Sequence, residues 1–241
     1  MARKIAISII AVTMLAILAT MITRMWDSGI AHVDVDRSLY PVMGVDVSGH
    51  NGAVDFDSLA RAGVTFAYIK ATEGATWRDR FFEKNYRAAK AAGLQVGIYH
   101  FFRFDVSPAL QADNIMRAAR GRSLNLPVAI DLEEWTNPTD ITTDAVVSNL
   151  RELIYQLELQ GMSPIIYTNK NGYGRFVRGN FDDIPLWICS FTTPPLPERE
   201  RWTFWQHSHK GELPGCSGPI DLSTFNTPVL GEFSATAHRP Q

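Results

Sequence analysis

The chain has 241 residues, 46% of them hydrophobic and 20% charged, and a formal net charge of -2. That length and apolar content support one sizeable globular domain, or two small ones. The near-neutral balance, without a basic run or a basic-aromatic stripe, argues against nucleic acid as a partner.

The N-terminus is unlike the rest. Arg3 and Lys4 precede an unbroken apolar or small-residue stretch, Ile5–Ile22, closed by Thr23 and Arg24. A charged n-region followed by an apolar h-region is the pattern of an export signal. The stretch is longer than most cleaved h-regions and near the lower length limit for crossing a bilayer. No small-x-small cleavage site follows it, so residues 1–26 read as an uncleaved signal anchor spanning the membrane through residues 5–22. The positive flank keeps the N-terminus in the cytoplasm and puts the rest outside, on the periplasmic side; cleavage would secrete it. Residues 27–41 read as a polar linker, 42–230 as the folded domain and 231–241 as a frayed tail. An exported setting admits a disulfide between the two cysteines, Cys189 and Cys216. Neither has the paired histidines of a zinc site, and no metal or cofactor is called for.

In chain order, Val42–Val47 is a short apolar strand carrying one acid, Asp46, and ending in a loop marked by Gly49 and Gly52. Asp55–Ala62 has helical spacing with Gly63 as its stop. Phe66–Ala71 is the second strand, leading to Thr72-Glu73-Gly74, and Phe81–Ala92 an amphipathic helix. Gln95–Phe102 is the third strand, Pro108–Ala119 a helix and Val128–Leu132 the fourth strand. Thr142–Gln160 is the longest helix signal, capped by threonine and stopped by Gly161. Pro164–Thr168 is the fifth strand, with a short helix over Gly172–Arg178. Then the rhythm changes: Leu186–Phe191, Thr203–His207 and Ile220–Phe225 read as strands separated by Pro- and Gly-rich loops. Five βα units imply a parallel sheet with right-handed crossovers. With the three further strands they suffice to close an irregular TIM-like α/β barrel.

The chemistry gathers at the strand ends, where such a barrel carries its site. In LPVAIDLEEW, Leu126–Trp135, a doubly buried strand runs into Asp131, Glu133 and Glu134. Period two sends Asp131 and Glu133 to the same side, roughly 7 Å apart at their α-carbons. Like charge and desolvation then raise at least one pKa, which suits that carboxyl to donate a proton near neutral pH. Asp46, Glu73 and Asp221 fall at other strand ends, beside Tyr99, Tyr167, Trp205 and Gln206. Several acids on one face repel one another, a cost that points to use. Aromatic faces among acids suit sugar rings, which stack their C–H faces and hydrogen-bond at their rims.

These stretches resemble the glycoside hydrolase family 25 muramidases. The resemblance rests on GVDVSGHNG (Gly44–Gly52), VTFAYIKATEG (Val64–Gly74), AAGLQVGIYHFFR (Ala91–Arg103) and LPVAIDLEE (Leu126–Glu134). It continues through PIIYTN (Pro164–Asn169), PLWICSF (Pro185–Phe191) and WTFWQHSHKGELPGCSGPIDLSTFN (Trp202–Asn226). It implies a peptidoglycan hydrolase that cleaves the β-1,4 bond between N-acetylmuramic acid and N-acetylglucosamine. Glu133 then corresponds to the general acid, and Asp131 to the carboxylate that stabilises the transition state or orients the acetamido group. Asp46 and Asp221 match two further acids of the groove. Glu73, Tyr99, Tyr167, Trp205 and Gln206 fall in motifs that border it. The chain departs from the family at Asn51, commonly Gln, at Asn171–Gly174, commonly aromatic-rich, and at the two cysteines. The rival expectation is a membrane-tethered, non-catalytic peptidoglycan-binding protein on the same barrel.

Overall fold

A computed structural model describes residues 31–197 and 201–226. The expected anchor at 1–26 and tail at 231–241 lie outside the described residues. Among the described residues no helix is long and apolar enough to cross a membrane.

Nine strands of the described residues form one sheet: β1 (Met43–Val47), β2 (Val64–Glu73), β3 (Trp77–Arg78), β4 (Gln95–Phe101), β5 (Val128–Asp131), β6 (Pro164–Asn169), β7 (Leu186–Cys189), β8 (Phe204–Gly211) and β9 (Ile220–Phe225). Pairing of β1 with both β2 and β9 closes eight of them into a barrel, and β3 hangs on β2 as a short antiparallel flap. Barrel neighbours run parallel except at β9, which is antiparallel to both β1 and β8. Closure removes the edges of the eight barrel strands, leaving that of the short β3 flap.

Among the described residues four helices pack around the barrel: α1 (Phe56–Arg61), α2 (Phe82–Ala91), α3 (Pro108–Ala119) and α4 (Thr143–Leu159). Their starts follow from local chemistry. Asp55 accepts a hydrogen bond from the Ser58 amide, Thr142 accepts one from the Ala145 amide, and Pro108 opens α3 at a position where no amide is needed. The helix expected after the fifth barrel strand shrinks to one turn, α5 (Lys170–Gly172), followed by a π turn at Tyr173–Val177.

Alternation along the strands separates two cores. Outward residues such as Val45, Ile69, Val96, Ile130 and Ile188 meet the helices. Inward residues, among them Phe66, Tyr68, Ala129, Trp187, Phe204 and Phe225, fill the barrel. Tyr68 stacks on Trp187 at 4.5 Å and Phe204 meets Phe225 edge-on at 4.6 Å. Gly97 makes room for this plug: a Cβ there would lie 2.4 Å from the Tyr68 ring. The aromatic plug confines any site to the mouth, at the C-terminal ends of the parallel strands.

Part of the expected linker lies on this barrel. The Val33 amide donates to His207 O (2.9 Å), the His209 amide to Ala31 O (2.8 Å), and His207 Nδ1 to Val33 O (3.0 Å). The expected disulfide is not formed, and both thiols are free. Cys189 faces the barrel interior beside Tyr167 and Trp187, whereas Cys216 packs against the outer core near α1. The barrel wall stands between them, and a disulfide needs its two Cβ atoms about 4 Å apart.

Candidate active site

β5 brings Asp131 to the mouth at 8% exposure, and Leu132 turns outward into the apolar core. The extended path continues one residue further, because the Leu132 amide donates to Tyr167 O (2.9 Å) and Thr168 Oγ1 donates to Leu132 O (2.7 Å). That holds Glu133 on the same side as Asp131. Asn137 Nδ2 donates to the Glu133 carbonyl (2.8 Å) and Asn169 Nδ2 reaches its carboxylate at 3.4 Å.

Across the mouth, Asp46 on β1 stands opposite Asp221 on β9. Their carboxyls share a hydrogen bond, so the pair holds a proton between them. Gln206 on β8 ties this pair to the wall: its Nε2 donates to Asp46 Oδ2 (2.8 Å), while its Oε1 accepts from Tyr167 (2.7 Å) and from His209 Nε2 (2.9 Å). Tyr99 reaches Ser48 from β4, and Lys70 donates to Glu73 at 3.2 Å.

Burial sets the protonation of this cluster. It lifts Asp46 well above the usual carboxylate range, with Asp221 adding repulsion. It does the same for Asp131, reinforced by Glu133 and opposed by Lys70. Burial also raises Glu133, against the Asn169 hydrogen bond and the pull of His209, and raises Asp221. A buried carboxyl kept protonated at the mouth of a cleft can give its proton to a departing oxygen. Asp131 Oδ1 is buried with no hydrogen-bond partner. Such an acceptor is costly unless a donor reaches it from the mouth.

Asp46, Glu73, Tyr99, Asp131, Glu133, Tyr167, Gln206 and Asp221 therefore converge. Trp205 does not. It is fully buried on the outer face of β8, edge-on to Tyr40 at 5.7 Å, with its indole donating to Ser190 O (2.6 Å). Strand alternation is the reason: with Gln206 turned inward, its neighbour must face out. His100 also faces out, held between Thr72 (2.8 Å) and Gln111 (3.0 Å), where burial lowers its pKa to about 4.

Two bulges decide what else reaches the mouth. The register of β2 against β4 shifts between Lys70 and Thr72, so Lys70 and Glu73 both turn inward. The register of β8 against β9 shifts between Gln206 and Ser208. This swings His209 over the mouth, where it meets Phe191 edge-on at 4.9 Å and approaches Cys189 Sγ at 3.5 Å. Lys70, Asn169, Cys189 and His209 were not anticipated as site residues. Strict alternation predicts His209 on the outer face, and only the bulge reverses it.

Comparison with known proteins agrees with this geometry. Residues 45–216 match the family described as Glycosyl hydrolases family 25. The autolytic lysozyme of Clostridium acetobutylicum is 33% identical over 187 residues, which cover 78% of this chain and 56% of that protein. The chain thus spans little more than half the length of that relative. Lysozyme M1 of Streptomyces globisporus is 30% identical, over 77% of this chain and 68% of that protein. A solved family 25 glycosyl hydrolase from Bacillus anthracis superposes with a TM-score of 0.76 at 33% identity, covering 84% of this chain and 96% of that one. A barrel whose mouth gathers these acids, matched to the family over most of its length, makes this chain a member of glycosyl hydrolase family 25.

Proposed function

We propose that this domain is a muramidase. It hydrolyses the β-1,4 bond between N-acetylmuramic acid and N-acetylglucosamine in peptidoglycan, outside the cytoplasm. The observation that carries the reading is the desolvated Asp131–Glu133 pair facing Asp46 and Asp221 across the mouth. Relatives named lysozyme support the substrate. Glu133, raised by burial and partly exposed at the mouth, donates its proton to the leaving glycosidic oxygen. Asp131 stands beside Glu133 as the carboxyl that orients the substrate. Its unpartnered Oδ1 accepts from the acetamido N–H of the sugar being cleaved, which fixes that group beside the anomeric carbon. Asp46, Asp221 and Gln206 hold the floor, and Tyr99, Tyr167 and Glu73 flank it. The apolar run at residues 5–22 supports export and tethering to the membrane on the periplasmic side.

Purified peptidoglycan digested with the domain, beside Glu133→Gln, tests this. Borohydride reduction and mass spectrometry should find reduced muramic acid ends only with the unsubstituted protein. Reduced glucosamine ends would change the bond cleaved. No new ends, with glycan binding retained, would replace the enzyme by a tethered binding protein. Recovery of the full chain in membranes, and of residues 27–241 in the soluble fraction, tests the anchor.

A further inference from the structure

Among the described residues, the large apolar side chains left in water include two tryptophans beside the mouth. Trp135 is 71% exposed and Trp77 is 46% exposed. Trp135 follows Glu133 by two positions, and Trp77 sits on the β3 flap, paired with Glu73 in the ladder. Single exposed apolar side chains are ordinary, but two large rings on the same rim make a candidate contact surface.

The loop that displays Trp135 is strained and tightly held. The Asn137 amide closes a turn onto Glu134 O (3.1 Å), and within that turn Thr136 has φ of 60°. A β-branched residue rarely adopts that left-handed conformation, and glycine is the ordinary choice for it. The conformation persists because the surroundings over-determine it. Arg103 Nη1 donates to Thr136 O (2.8 Å) and Asn137 Nδ2 donates to Phe102 O (2.9 Å). The Phe104 amide donates to Asn137 Oδ1 (2.9 Å), and Arg175 pairs with Glu134. Strain held in this way marks a position whose orientation matters. Trp77 is fixed too: Asn114 Nδ2 donates to its carbonyl (3.1 Å), and the Lys70 ammonium lies 5.0 Å from its ring centre. Arg103 stands between the two, 4.0 Å from Glu73, so the ends of β2, β4 and β5 form one rim.

We infer that Trp135 and Trp77 are stacking platforms for sugar rings of the glycan strand beyond the pair being cleaved. This rests on the muramidase reading and deepens it. The occupant follows from continuity: a polymer threaded past Glu133 must leave the mouth over one rim or the other, and this rim offers exposed indole faces on a held backbone. A pyranose presents an apolar C–H face to an indole and keeps its hydroxyls in water. The platforms add affinity for long strands without touching the reacting atoms.

The test measures binding of the Glu133→Gln protein to long glycan strands stripped of their peptides, by titration. Adding Trp135→Ala should weaken binding roughly tenfold, about the factor that one stacking contact contributes. Trp77→Ala should weaken it by a smaller factor, and Trp135→Phe should recover most of the loss. Tyr155→Ala, which removes an exposed ring on α4 away from the rim, is the control and should change nothing. Equal affinities for the Trp135→Ala and parent proteins would overturn the inference, as would an equal loss in the Tyr155→Ala control. Release of new reducing ends by the unsubstituted protein is scored separately. A binding loss without such release would sink the muramidase reading and leave the platforms standing.

Discussion

The clearest consequence of crowding acids into one mouth is a stability cost that depends on pH. Burial and mutual repulsion keep a proton on the Asp46–Asp221 pair, while Asp46 accepts from Gln206 Nε2 at 2.8 Å. Asparagine at this position satisfies both bonds: its amide donates to Asp221 and its carbonyl accepts from Gln206. The substitution therefore keeps the geometry and removes the need to hold a proton. In the unfolded chain Asp46 ionises in the ordinary range, near 3.8. Above that range the folded state binds more protons than the unfolded one, so rising pH destabilises the parent protein. Each pH unit over which Asp46 must stay protonated costs about 1.4 kcal/mol. Asp46→Asn escapes that cost. The stability gap in its favour should be absent below the ordinary carboxylate range. It should then open by about 1.4 kcal/mol per pH unit, or roughly 3–6 °C in melting temperature for a domain of this size. Thermal melts of both proteins at a series of pH values from 3.5 upward measure it, alongside turnover of peptidoglycan, which should fall. A gap that does not vary with pH, or an Asp46→Asn protein that melts lower at every pH, would refute this account of the proton.

Two further perturbations probe the scaffold. Gly97→Ala puts a methyl 2.4 Å from the Tyr68 ring and 3.0 Å from Leu126 Cβ, inside the aromatic plug. It should cost roughly 1–3 kcal/mol in urea unfolding. Because Cys189 and Cys216 are both free, thiol titration of the unfolded protein without reductant should find two thiols, and reductant should leave the melting temperature unchanged. A thiol count that rises only after reduction would contradict the placement of these cysteines on opposite sides of the wall.

The amino-acid sequence determined a good deal by local rules. Period-two alternation of side chains over Val128–Glu133 is enough to send Asp131 and Glu133 to one side, because alternation belongs to a single extended segment. Apolar runs punctuated by glycine, and threonine or aspartate at helix starts, located α1 to α4 and the barrel strands to within a residue or two, except β8, which runs to Gly211, four residues past the expected His207. What those rules do not carry across is phase. A bulge is a property of two paired strands, so no inspection of β8 alone shows that His209 turns inward after Gln206. The same holds for Glu73 at the end of β2. Trp205 has the composition of a sugar platform, yet the inward turn of Gln206 commits it to the outer core. The pairing of Asp46 with Asp221 exists only because β9 returns antiparallel to close the barrel beside β1. The cysteines show the same limit: a shared compartment allows a bond, and the wall between them prevents it. Local pattern decides which residues can face a site, whereas closure and register decide which of them meet, because those depend on contacts between segments far apart in the chain.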